Sequence, residues 1–243
     1  MSHAACACYA AAMKQIAFIA SLAILLPLAG CGPHQQNPPT GAATSAANSD
    51  SGQGAASPHA ASSAGFDFYL LNLSWSPEFC FSHPSAAECA SHPAFVLHGM
   101  WPQNNDGTYP ENCSNAPGPS DPDQYKDIYA DQGLLAHEWQ THGTCSGLGP
   151  DAFFSAARTA YRSVAIPPTL TGLTSQTSLP PDQILDLFTA SNPAIPRSSL
   201  ALSCGHNYLT AIEVCLDKSL HPIACSAVRS CRANTVRIPP PGQ

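Results

Sequence analysis

From about Gly65 onward the sequence predicts a single α+β domain, and three observations carry that prediction. Strand-like and helix-like segments are segregated along the chain instead of alternating as repeated βαβ units. The chain holds 16 Gly and 24 Pro and only 10% of residues are charged, which excludes a coiled coil or helical bundle. A length of 243 residues fits one large domain, or one domain with non-globular segments, better than two compact ones. In chain order, 66–75 (FDFYLLNLSW) reads as a central strand and 94–98 (AFVLH) as a second, ending in a turn through Gly99 and Pro102. The middle is helical. A helix over 134–142 is predicted to close against Gly143 as its C-terminal cap. After Gly149-Pro150, Asp151 is expected to cap a helix on which Phe153, Ala157, Tyr161 and Val164 recur at helical spacing. A further helix spans 182–191 and stops before Pro193. Strands return at 200–204, 208–216 and 236–238, and no internal repeat is visible.

The N-terminal residues read differently. From Met13 the chain runs MKQIAFIASLAILLPLAGC, a lysine and an apolar run ending Leu28-Ala29-Gly30-Cys31, which resembles a bacterial lipoprotein signal whose cysteine is lipidated. The apolar stretch of 16–30 is shorter than the roughly 20 residues a membrane span needs, and Pro27 interrupts it. Met13 is therefore the expected start, 1–31 the signal region with Cys31 as the lipid anchor, and Cys6 and Cys8 are irrelevant to the fold. Residues 32–64, rich in Ala, Ser, Gly, Pro, Asn and Gln with Asp50 the sole charge, read as a flexible tether. This leaves 65–243 as the folded domain, held outside the cytoplasm on a periplasmic or cell-surface membrane face, or secreted. Gly32 carries no acidic retention signal, a hint toward an outer membrane where two exist.

The charge balance excludes one class of function. Nine basic residues against sixteen acidic give −7, so no basic surface exists to hold nucleic acid by bulk counterion release, and any polyanion must be gripped locally. Within the folded part eight cysteines remain: Cys80, Cys89, Cys113, Cys145, Cys204, Cys215, Cys225 and Cys231. An even count outside the cytosol reads as four disulfides, with 105 pairings open. Zinc is the rival reading, but these eight include no CxxC pair.

Two segments carry chemistry. His98-Gly99-Met100-Trp101-Pro102 places a histidine at a strand end, held by a rigid element; taken alone, His98 is as well explained by a backbone-satisfied imidazole. His137-Glu138-Trp139-Gln140-Thr141-His142-Gly143-Thr144-Cys145 superficially matches the HExxH zinc motif. Zinc needs histidines at i and i+4; here they are five apart, about 140° around a helix, so the spacing argues that they cannot chelate one ion. Glu138 and His142 are the i, i+4 pair. A carboxylate there is expected to favour the imidazolium and fix its orientation, with the helix C-terminus adding support. Two imidazoles near neutral pH suit a reaction with two proton transfers and no metal. Cleavage of RNA by its own 2′-hydroxyl is such a reaction, one that spares DNA.

Here the sequence resembles the ribonuclease T2 family of metal-independent acid endoribonucleases. HGMWP at 98–102 is similar to its HGLWP block and HEWQTHGTC at 137–145 to its HEWxKHGTC block. The likeness extends through FDFYLLNLSWSPEFC, WPQNNDGTYPENC and CGHNYLTAIEVCLDK, covering most of 66–239. It implies a central antiparallel sheet packed with helices. It implies an endoribonuclease acting on single-stranded RNA through a 2′,3′-cyclic phosphate to 3′-phosphate ends, with no cofactor and no metal, and it implies nothing about a protein partner. By the resemblance His98 protonates the leaving group, His142 deprotonates the 2′-hydroxyl, His137 holds the phosphate and Glu138 supports the charged intermediate. Trp101 and Tyr109 match positions that sandwich a base, and Gln103 lies where a base-reading side chain would sit; Trp75 and Trp139 read as packing. The implied disulfides are Cys80–Cys89, Cys113–Cys145, Cys204–Cys231 and Cys215–Cys225.

One departure matters: Thr141 stands where the family has lysine. Loss of one charge-stabilising donor can cost roughly 10²–10³-fold in rate. The alternative function is therefore a weakly active or non-catalytic RNA- or nucleotide-binding lipoprotein of the same fold. Met100 for leucine is a mild swap. Titration of the seven histidines after residue 64 is expected to offset much of the negative charge below pH 6, which favours an acid optimum.

Overall fold

The structure, a computed structural model, describes residues 65–91 and 93–242. The signal region at 1–31, Cys31 and the tether at 32–64 lie outside the described residues. Among the described residues no helix is long and apolar enough to cross a membrane.

Six strands make one sheet. β1 (Phe68–Trp75) lies between β2 (Phe95–Gln103) and β5 (Tyr208–Leu216) and pairs antiparallel with both. β4 (Leu200–Gly205) also pairs antiparallel with β5, and β3 (Thr177–Leu179) with β6 (Val236–Ile238). β6 meets β5 in parallel, Tyr208 opposite Arg237, so the sheet is antiparallel but for this one mixed contact. β1 is covered on both faces, which is why its sequence is almost continuously apolar.

Among the described residues five helices accompany the sheet: α1 (Ser76–Ser82), α2 (Gln132–Thr141), α3 (Pro150–Arg162), α4 (Pro168–Thr171) and α5 (Pro181–Ser191). Leu71, Leu73 and Trp75 of β1 and Phe95, Leu97 and Met100 of β2 share the main core with Phe153, Phe154 and Ala157 of α3 and Phe188 of α5. Trp75 and Trp139 are both buried there, each indole N–H donating to a backbone carbonyl, Pro239 at 3.1 Å and Ala116 at 2.8 Å. A smaller cluster on the other face joins Phe68, Leu70 and Cys215 to the partly buried Trp101, Ile223 and Val228.

Several expectations need correction. The second strand does not turn after His98 but continues through Gly99 and Pro102 to Gln103, because its outer half pairs with Phe68–Asn72. α2 begins at Gln132, where the Asp131 side chain caps it by accepting from Gly133 and Leu134 N–H, and it ends at Thr141 with His142 as its cap. Gly143 is not a left-handed cap. A Cβ there would run into the Trp139 ring and lie 3.0 Å from Phe153, so glycine is needed for close packing. α3 starts one residue before Asp151, with Gly149 at the cap and Pro150 in the first turn; Asp151 instead accepts from the Tyr125 hydroxyl at 2.8 Å.

Four disulfides join Cys80 to Cys89, Cys113 to Cys145, Cys204 to Cys231 and Cys215 to Cys225. Cys113–Cys145 bridges a sequence separation of 32, a closure expected to contribute about 3–4 kcal/mol by loop entropy. It ties the loop after β2 to the turn after α2. Asn112 N–H donates to the Thr141 carbonyl at 2.8 Å and Gln140 Nε2 to that of Ser114 at 2.6 Å, so loop and helix end form one unit.

Candidate active site

The site lies where the outer face of β2 meets the C-terminal end of α2. In a regular strand His98 and Trp101, three apart, would face opposite sides. They share a side because the register of β1 with β2 slips between Asn72 and Leu73. Asn72 faces Gly99 and Leu73 faces Leu97, which leaves His98 without a partner of its own. This bulge re-aims the imidazole. The His98 and Trp101 rings then meet edge-on at 5.3 Å between centroids. Gly99 is obligatory because a Cβ on it would overlap Glu138 Oε2 and Trp101 Nε1.

α2 supplies the other half. Glu138 is wholly buried and accepts from the Trp101 indole N–H at 2.8 Å. Its other oxygen, Oε1, lies 3.7 Å from His98 Nε2 and has no hydrogen-bond partner among the described residues. His142, just past the helix, packs at 5.2 Å from Trp101 and 6.2 Å from His137, with Nδ1 buried and unpartnered among the described residues. Thus Trp101 touches both His98 and His142, and Glu138 lies within reach of both. His137 is exposed, and Thr141 Oγ1 approaches its Nδ1 at 3.4 Å.

The electrostatics differ from the sequence expectation that Glu138 favours a charged His142. Burial pushes the Glu138 carboxyl up to about 8, the Trp101 hydrogen bond opposing only in part. His142 is driven down to about 4 by burial and then by the charges of His137 and His98, and His98 is lowered by burial and then by His137. The pair is neutral at mildly acidic pH because desolvation outweighs mutual attraction: a carboxyl held uncharged cannot stabilise an imidazolium. The expected offset of the negative charge below pH 6 is correspondingly smaller.

The angular argument against a shared metal also needs correction. Ligand atoms of His137, Glu138 and His142 lie within 4.8 Å of one another. His142 caps the helix and still donates its N–H to the Glu138 carbonyl, so it is the reach of the side chains that closes the angular gap. These three residues are chemically suited to a transition-metal ion. A second group, Cys80, Glu88 and Cys89, is not, since its thiols form a disulfide.

Beside this cluster is a cleft of about 460 Å³ lined by Leu70, Trp101, Gln103, Tyr109, Glu111, His137, Thr141 and His142. The structure therefore brings Trp101, Tyr109 and Gln103 to one cleft with His137 and His142. His98 lies next to Trp101, outside that lining, with its side chain 42% exposed. Tyr109 is 54% exposed, an aromatic face presented to solvent. Sequence reasoning missed Glu111 and Leu70 in the cleft and Ser74 against His98 Nδ1 at 3.1 Å. Only the alternation of β1, which puts Leu70, Asn72 and Ser74 on one side, could have pointed to the last.

Comparison with known proteins adds a lineage. The model of the ribonuclease T2 family matches residues 66–225. A ribonuclease of Aeromonas hydrophila is 42% identical over 94 residues, 38% of this chain and 43% of its own length, so the matched stretch spans less than half of that relative. Ribonuclease DdI of Dictyostelium discoideum is 29% identical over 176 residues, 63% of this chain and 75% of its own. Among solved structures, ribonuclease MC1 from bitter gourd seeds superposes with a TM-score of 0.58 at 22% identity, over 70% of this chain and 99% of that one. RNase NT in complex with 5′-AMP gives 0.55 at 20%, over 73% and 98%. At such identities these two speak to the fold.

Proposed function

Because the chain belongs to the ribonuclease T2 family, we propose that it is an endoribonuclease cleaving single-stranded RNA by 2′-hydroxyl transesterification without a metal ion. The observation that carries this reading is the convergence of two imidazoles, 44 positions apart in the chain, on one indole and one buried carboxyl: His98 and His142 both contact Trp101. His142, held to about 4, is largely unprotonated at pH 5 and able to take the 2′-OH proton. The freed oxygen attacks the adjacent phosphorus in line. His98 Nε2 gives its proton to the departing 5′-oxygen, leaving a 2′,3′-cyclic phosphate. In the second step the roles reverse: His98 takes a proton from water, the hydroxyl opens the ring, and His142 reprotonates the 2′-oxygen to leave a 3′-phosphate.

Glu138 acts in this scheme as a neutral acid. An ionised carboxylate here would repel the phosphate, whereas a carboxyl held protonated by burial removes that repulsion and, through its hydrogen bond, holds the Trp101 indole against the two imidazoles. His137, exposed at the cleft, grips the phosphate, whose negative charge favours the protonated form of His98, the ring that must give up a proton. Trp101 and Tyr109 hold a base by its π faces and Gln103 contacts its edge. The RNase NT complex with 5′-AMP supports a nucleotide as ligand. The four disulfides support an oxidising compartment outside the cytoplasm, and the Leu28–Cys31 motif supports a lipid anchor.

The test is incubation of the full chain with a synthetic RNA and the matching DNA at pH 5 and 7 in EDTA. Cleavage of RNA alone, through cyclic phosphate ends and abolished by His98→Ala or His142→Ala, is expected. Thr141 favours the second reading, nucleotide binding without turnover, and saturable binding with no cleavage would establish it. Loss of cleavage with chelator would overturn the metal-free scheme.

A further inference from the structure

Behind His98 a line of polar side chains runs into the sheet. Asn72 on β1 and Glu213 on β5 face each other in register and are 6% and 7% exposed. Ser74, two residues along β1, lies on the same face as Asn72 and against the imidazole. Nothing in the proposed proton transfers uses Ser74, Asn72 or Glu213, yet each is linked by hydrogen bonds to the next.

The polarity of this line follows from the inventory of donors and acceptors. Glu213 Oε1, a carboxylate oxygen, accepts from Asn72 Nδ2 at 3.2 Å and from Ser203 Oγ at 3.0 Å. The amide nitrogen of Asn72 is thereby turned toward β5, and its carbonyl oxygen is left facing Ser74. The Ser74 hydroxyl donates its single proton to Asn72 Oδ1 at 3.4 Å. With that proton committed, Ser74 Oγ can offer His98 Nδ1, 3.1 Å away, only lone pairs. This orientation of the hydroxyl assigns the hydrogen to Nδ1. The other nitrogen, Nε2, is a bare acceptor in the neutral ring and an N–H donor in the protonated one, and it is Nε2 that faces the Glu138 carboxyl.

We propose that Glu213, acting through Asn72 and Ser74, fixes His98 as the Nδ1–H tautomer, which makes these three positioning residues for proton delivery from Nε2. The inference deepens the reading of His98 as the acid of an RNA-cleaving site and rests on it for its functional meaning. The tautomer itself is independent of that reading. Which ring nitrogen holds the proton is set by the bond the other makes, and an imidazole in the wrong tautomer presents N–H where a lone pair must form, or the reverse. The anchor of the chain is buried, so water does not compete for its bonds, and the polarity set at Glu213 is transmitted to the edge of the site.

The experiment is long-range ¹H–¹⁵N correlation of the histidine rings in the uniformly labelled full chain at pH 7, without RNA. The wild-type His98 is expected to show a pyrrole-like Nδ1 and a pyridine-like Nε2. Ser74→Ala should move His98 toward the Nε2–H form and lower kcat roughly 10–100-fold, the scale for groups that orient a functional histidine, with KM little changed. Ser74→Thr, which keeps the hydroxyl, and Glu213→Gln, which keeps an acceptor for Asn72, should retain the wild-type tautomer. A wild-type His98 already in the Nε2–H form, or a tautomer indifferent to Ser74→Ala in a folded protein, overturns the inference. A correct tautomer response in a protein that never cleaves RNA would instead overturn the enzymatic reading alone.

Discussion

Replacing Glu138 by Gln should change the pH dependence of stability in one window and leave it alone elsewhere. The buried Glu138 carboxyl is raised from its ordinary 4.5 to about 8. Between those values the folded chain binds a proton that the unfolded chain has released, so this group's contribution is full below pH 4.5 and is lost as pH rises through 8. His142 works the other way: lowered from 6.5 to about 4, it leaves the unfolded chain with the extra proton between those values, and stability rises with pH there. From pH 4.5 to 6.5 the two slopes oppose and nearly cancel. From 6.5 to 8 Glu138 acts without that opposition, and at 1.36 kcal/mol per pH unit the loss is about 2 kcal/mol. For a domain of this size that is a fall in Tm of about 4–8 °C. Thermal unfolding of the wild type and Glu138→Gln, followed by circular dichroism from pH 4 to 9, measures it. The wild type should show a plateau and then a decline that the variant, having no proton to lose, does not share. Equal declines in both proteins, or a wild-type Tm that rises above pH 6.5, would refute the assignment of a neutral buried Glu138.

Thr141→Lys should raise kcat on RNA by about 10–10³-fold, since an ammonium between His137 and His142 would add a charge-stabilising donor to the cleft; steady-state kinetics giving unchanged or lower turnover would mean that another donor already fills the role. Gly99→Ala should lower Tm by about 5–15 °C and abolish cleavage, because its Cβ overlaps both partners of the Trp101–Glu138 hydrogen bond, a buried disruption costing about 2–4 kcal/mol; calorimetry finding a wild-type Tm would contradict the packing. EDTA should leave RNA cleavage intact, whereas added zinc should suppress it by engaging His137, Glu138 and His142, and His137→Ala should blunt that suppression; inhibition curves that coincide for wild type and variant would dismiss the cluster as a metal ligand set.

The long apolar periodicities were legible in the sequence. The strand over 208–216 and the short one over 236–238 coincide with β5 and β6, and α5 begins one residue before its predicted start. The lineage was legible too, because two short blocks and their flanks carry the family's spacing. The boundaries that failed, at Gly99 and at Asp151, are places where a strand partner or a neighbouring Tyr125 outweighs local turn and cap preference.

What the residues alone determine is composition-level and local: a disulfide-bearing α+β domain, two histidine-bearing segments, and a threonine in place of a lysine. The tertiary structure decides everything that depends on which atoms meet. A one-residue slip between β1 and β2 aims His98 to the same side as Trp101, the end of α2 at Thr141 leaves His142 as a cap packed against Trp101, and burial turns Glu138 from the expected anion into a neutral acid. Register, helix termination and desolvation are set by contacts between segments far apart in the chain, and no spacing rule within a single segment encodes them.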